Sequence, residues 1–271
     1  MSYLIDMYED LSKRLSGMVH FETPPVAVFL SPRVPEGVKQ LDGKMKWCEM
    51  VDVVRLEGKT FYTTPENHTC KNGMYYLGMT QVFPGHLTGE WLSGKYPREG
   101  RRIFRSPMAV QRALNKYWKI PPETIKAISF SPLQTAPFDP EKGGLVVVVI
   151  CNPKQAMYII RGHSFETGDI VMGATMPSTC SSVVARAYLT GELSPSLGCF
   201  GARTFMKVKT EEMFMGIPIE ILPKLVDNLE SLLEGRPDLK KIVSEGVGQY
   251  HVASAEEKLV QISGWWMKKE C

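Results

Sequence analysis

Six cysteines are the side chains of this 271-residue chain most able to do chemistry, and four of them recur in a pattern. Cys48 is followed by Val51, Val54, Arg55, Leu56 and Gly58, then by Cys70 and Gly73. Cys180 is followed by Val183, Val184, Arg186, Leu189 and Gly191, then by Cys199 and Gly201. The two cysteine intervals are 22 and 19 residues, and the two series match with one gap. In each series the first cysteine opens a helical pattern and the second falls in a glycine-bearing loop. The unpaired N–H groups at a helix start stabilise a thiolate, and open backbone beside a glycine can donate to sulfur. Anionic sulfur among N–H donors is what an iron–sulfur cluster needs.

The spacing excludes simpler sites. No Cys-x-x-Cys occurs, so a ferredoxin run, a thioredoxin-type pair and a zinc knuckle are absent. What remains is a site gathered from distant segments: Cys48, Cys70, Cys180 and Cys199 as ligands of a [4Fe–4S] cluster. Three ligands would leave one iron open to redox or sulfur-transfer chemistry, whereas four would favour electron transfer or structural support. Cys151, inside an apolar run, reads as a small buried hydrophobe, and Cys271 as inert.

Other residues are weighed against plainer roles. His68, two residues before Cys70, could contribute a ligand or a proton; a solvated loop histidine is the ordinary alternative. Arg203 could hold an anionic substrate beside a cluster, or be a surface charge at a strand end. His163 is equally open. Ser181 and Ser182 read as helix caps. Arg98, Arg101, Arg102 and Arg105 lie in a Gly- and Pro-rich stretch, either as a solvated loop or as an anion site. That stretch supports a rival function, a metal-free module for an anionic small molecule. A thiol redox enzyme with a transient cysteine pair is a third reading. No nucleophile elbow, Walker loop, dinucleotide fingerprint or His-Glu-x-x-His motif occurs, so no catalytic residue is assigned.

The elements that must carry these residues follow from periodicity. Apolar strands are expected at Val26–Leu30, Ile125–Phe130 and Leu145–Cys151, the last central and covered on both faces. Strands are also expected at Gly58–Thr64 and Arg203–Lys209. Helices are expected over 6–16, 47–56, 153–161, 177–189 and 219–233, and from Ser106-Pro107 to about Lys119. Short helices are expected at 237–244 and 254–267. The segment from Val26 to Arg33 matches Val147 to Lys154 without a gap: five apolar residues, a capping residue, Pro, then a basic residue. Together with the cysteine series this reads as a duplication. The expected fold is α/β, a single compact unit built from two pseudo-symmetric repeats, 1–119 and 120–235, with a C-terminal helical tail at 236–271. Duplicated halves pack about a pseudo-two-fold axis, where equivalent loops meet.

Composition bounds the function. With 32 basic and 29 acidic residues the net charge is +3, which gives no electrostatic footprint for nucleic acid. No apolar run approaches bilayer length and no leader pattern opens the chain, so a cytoplasmic protein with reduced thiols and no membrane contact is expected. A homo-oligomer and an electron-transfer partner are left open.

Cys70-Lys-Asn-Gly73, Pro177-Ser-Thr-Cys180 and Gly198-Cys199-Phe-Gly201-Ala-Arg203 resemble the domain of unknown function 169 family, also called ArCR. The resemblance covers about residues 5–235. It implies no named reaction. It does imply archaeal or anaerobic bacterial relatives, and hence an oxygen-poor cytoplasm suited to iron–sulfur chemistry.

Overall fold

Helix α1, Ser2–Val19, places Tyr8, Leu11, Leu15 and Val19 on one buried stripe. It is longer than the expected 6–16. Gly17 continues the helix rather than ending it, and His20 in a left-handed conformation (φ 56°) closes it through a 2.8 Å bond from its N–H to the Ser16 carbonyl. The computed structural model describes residues 2–85, 88–94, 102–173, 175 and 178–236. One compact unit extends to Leu232; of the unit beginning at Leu233 only residues 233–236 are described. The helices expected at 237–244 and 254–267, and most of the 236–271 tail, lie outside the described residues.

Six strands form one sheet: β1 (Val26–Ser31), β2 (Phe61–Thr63), β3 (Ala127–Pro132), β4 (Gly144–Cys151), β5 (Ser194–Ser196) and β6 (Met213–Pro218). Their order is β2-β3-β1-β4-β6-β5, and every pairing is antiparallel. β1 and β4 pair at the centre and are covered on both faces, as the unbroken apolar run of β4 requires.

One face carries α2 (Trp47–Glu57), α3 (Lys71–Tyr76), a π-helical turn at Cys180–Ala185 continued by α7 (Arg186–Thr190), and α8 (Phe200–Phe205). Short helices α4 (Gly89–Leu92) and α5 (Pro107–Leu114) pack against each other beside them. Val26, Val28 and Leu30 of β1 and Val146, Val148 and Ile150 of β4 point into this layer, against Met50, Val51, Val183 and Val184. Helix α1, α6 (Pro153–Thr167) and α9 (Leu222–Gly235) form a second group. Gly162 lets α6 approach α9 closely, since a Cβ there would lie 3.0 Å from the Leu225 carbonyl oxygen. Arg14 of α1 pairs with Glu230 and Asp227 of α9 at 2.6 Å each.

Local signals explain most boundaries. Asn152 and Gln155 cap α6 reciprocally, at 2.9 and 2.8 Å, with Pro153 at the first position. Ser106 caps α5 from one side only, its hydroxyl accepting from the Ala109 N–H at 3.2 Å, with Pro107 at the first position. Helix α2 and α7 end on Gly58 and Gly191, both left-handed (φ 68°). Three expectations need correction. The 203–209 stretch is not a strand: Arg203 belongs to α8, and the strand begins at Met213. The cap at Cys199 outweighs the weak polar–apolar alternation that follows. Second, the ungapped match of Val26 with Val147 joins opposite faces of the sheet. Val26 faces the same layer as Val146 and Val148, between which Val147 points to the other face. A strand apolar on both faces carries no period-two signal to set its register. Third, the helix begun at Ser106 stops at Leu114, short of Lys119.

Candidate functional site

Cys48 is the second residue of α2, and Cys180 opens the π-helical turn. Cys70 and Cys199 do not lie in open loops: each is the N-cap of a six-residue helix, α3 or α8. Their sulfurs accept from Gly73 N–H and Ala202 N–H, each at 3.3 Å. A thiol serves here where Ser or Asp usually would, so no ordinary capping cue marks these two helix starts. The Cys199 N–H donates to Thr179 Oγ1 at 2.8 Å, which ties the Cys199 segment to the residue before Cys180. Ser178 Oγ lies 3.2 Å from Cys180 Sγ. Ser181 donates to the Trp118 carbonyl and Ser182 Oγ sits 2.9 Å from Ser196 Oγ, so both serines brace the turn from inside.

All four cysteines line one cavity of about 280 Å³. Lys46 and Lys71 also line it, and no acidic side chain does among the described residues. Its walls are aromatic at Trp47, Trp91, Phe104, Tyr117, Phe200 and Phe205. Burial pushes the Cys48 thiol up to about 12, helped by the charges that Cys70 and Cys199 would carry. Burial also raises Cys70, against its bond from Gly73, and raises Cys180 well above the ordinary thiol range. Cys180 feels Cys70, Cys199 and Cys48, so the thiols are electrostatic neighbours. Among the described residues no three His, Cys, Asp or Glu side chains converge tightly enough to hold a single metal ion.

The other candidates are placed elsewhere. His68 is buried and does not line the cavity. The Thr63 hydroxyl donates to the Ile128 carbonyl, so His68 Nε2–H donates to Thr63 Oγ1 at 2.9 Å, and Nδ1 is left without a partner. Desolvation lowers its pKa to about 4, so the ring is neutral. Arg203 does not line the cavity either: its guanidinium donates to the carbonyls of Leu197, Lys209 and Glu212 and lies over the Phe214 ring. Arg98 and Arg101 lie outside the described residues; Arg102 and Arg105 are not in the cavity wall, although Ile103 and Phe104 between them are. Cys151 is buried in β4, and Cys271 lies outside the described residues. The residues not foreseen are Lys46, Lys71 and the aromatic walls. Lys46-Trp47-Cys48 and Cys70-Lys71 put both lysines beside ligand candidates in the sequence, which is the one signal that pointed to them.

No described helix is long and apolar enough to cross a membrane. No solved structure matches the chain. It is 29% identical over 225 residues to an uncharacterised protein of the archaeon Methanocaldococcus jannaschii, covering 81% of this chain and 92% of that protein. Residues 14–228 match the family described as uncharacterised ArCR, a span that holds all four cavity cysteines. The chain belongs to this ArCR family, domain of unknown function 169.

Proposed function

We propose that this protein binds a [4Fe–4S] cluster through Cys48, Cys70, Cys180 and Cys199. The observation that carries the reading is that four thiols from four separate segments line one cavity. The donor set suits the group: soft sulfur ligands, two backbone N–H groups already directed at Sγ atoms, a hydroxyl beside a third, and a wall without carboxylates. Each thiol gives up its proton on ligation, and burial makes that loss costly at Cys48, Cys70 and Cys180 without a cation. Lys46 favours the ionised form of Cys70. Bound there, the cluster supplies one-electron transfer, or a Lewis-acidic iron where a ligand position is open.

The two halves are read as repeats, 1–119 and 120–235. The strand order supports a repeat but with its boundary after β3 rather than at 119/120, since β2-β3-β1 and β4-β6-β5 are the same series read from opposite edges and β3 lies at 127–132. Phe61↔Phe130 with Thr63↔Ile128 parallels Ser194↔Gly216 with Ser196↔Phe214. Gly58 and Gly191 end equivalent helices, 10 residues after Cys48 and 11 after Cys180, and the π-helical turn accommodates that extra residue.

Anaerobic purification and reconstitution with ferrous iron and sulfide tests the cluster. Iron and acid-labile sulfide in equal amounts are expected, with broad visible absorption that bleaches on reduction. Cys180→Ser should lose most of the iron while Cys151→Ser keeps it. Iron no higher than in a washed control would end the proposal.

A further inference from the structure

The cavity has polar features that the thiols do not use. Exposure rises along its wall, from Trp47 at 2% and Cys180 at 5%, through the half-buried Cys70 and Cys199, to Phe200 at 68%, so Cys48 and Cys180 lie deep and Phe200 at the mouth. Lys71 is exposed and makes no ion pair among the described residues. Lys46 lies 3.8 Å over the Phe205 ring and meets Glu49 only at 3.5 Å. The nearer interaction of Glu49 is with the Lys46 backbone N–H, at 2.7 Å, so its carboxylate is engaged in the start of α2. The indole N–H of Trp47 is buried without a hydrogen-bond partner.

We propose that the mouth of this cavity binds a small organic carboxylate, its anionic end on Lys46 and Lys71 and its apolar body against Trp91, Phe200 and Phe205. The space of about 280 Å³ is near the lower end for ligand pockets, which sets the size class. Aromatic walls with two ammonium groups suit an apolar body with one charged end. A phosphate would call for arginine forks or a row of free backbone N–H groups. Among the described residues the lining holds no arginine, and the N–H groups of Gly73 and Ala202 already serve sulfur. The polar partners of the carboxylate are the two lysines and none of the four thiols, although the mouth opens onto the cavity that the proposed cluster would share.

Titration of the full chain with benzoate, benzamide and inorganic phosphate tests this, read by calorimetry and by the fluorescence of Trp47 and Trp91. Benzoate should bind saturably and about tenfold more tightly than its neutral analogue benzamide. Lys71→Met should remove that preference while leaving benzamide affinity and iron content unchanged. Benzoate binding no tighter than benzamide, phosphate competing as well as benzoate, or a Lys71→Met variant that keeps the preference would each overturn the site. Benzoate binding retained by a Cys180→Ser protein without iron would support the carboxylate site whatever the fate of the cluster.

Discussion

At Tyr8 a single hydroxyl joins α1 to the chain after β3, donating to the Phe138 carbonyl at 3.1 Å. Burial raises its pKa from 10.0 to about 12, and the charges of Asp139 and Glu220 add to the shift. A phenol whose folded pKa lies above its unfolded value contributes stability that is complete below pH 10 and is lost as pH rises toward 12. Denaturant melts across that window should therefore show a loss of up to about 3 kcal/mol, and Tyr8→Phe should flatten the profile. His68 shows the opposite case of burial, a ring held neutral in the core rather than a group offered to a ligand. Cys48, Cys70 and Cys180 resemble Tyr8 in this respect: desolvation favours the protonated form, so their ionisation awaits a cation.

The π-helical turn is the element on which Cys180 depends. Its carbonyl at Val183 lies directly against Gly216 of β6, where a Cβ would collide with backbone rather than with a movable side chain. Gly216→Ala should therefore cost about 1–3 kcal/mol, measured by urea unfolding. The same substitution at Gly85, where nothing lies within 4 Å of a built Cβ, should leave stability almost unchanged. Sequence showed that a helix lay here and ended at Gly191. It did not show the wider turn, because an inserted residue in a continuing helix leaves no change in apolar period that one chain can reveal. Helix α3 was obscured for a related reason: at six residues it is too short for periodicity, and its cap is a cysteine.

Across the whole molecule, two sets of contacts hold the cysteine-bearing segments together. The central β1–β4 ladder joins the halves. A buried ion pair then ties α2 to the chain beyond α8: Arg55 Nε donates to Asp52 at 2.6 Å, Lys207 N–H donates to Asp52 at 2.5 Å, and Arg55 donates to the Lys207 carbonyl at 2.5 Å. Asp52→Ala would strand a buried guanidinium, with an expected cost of about 3–5 kcal/mol. Asp42→Ala, which removes the exposed partner of Lys39, should change stability by less than about 1 kcal/mol. Chemical denaturation of the two variants side by side checks the contrast. Arg55 was visible in the sequence only as part of a repeated pattern. Its use as a clamp across more than a hundred residues was not.

The amino-acid order alone determined which thiols could act together, because the missing Cys-x-x-Cys spacing removes every compact site. It also determined most helix boundaries, since caps, prolines and left-handed glycines act within a few residues and leave their mark locally. Tertiary structure alone decided the rest: which face of β1 matches which face of β4, that four sulfurs share one cavity, and that His68 and Arg203 turn away from it while Lys46 and Lys71 line it. These outcomes depend on pairings between distant strands and on packing in three dimensions, and neither is encoded in the spacing of neighbouring residues.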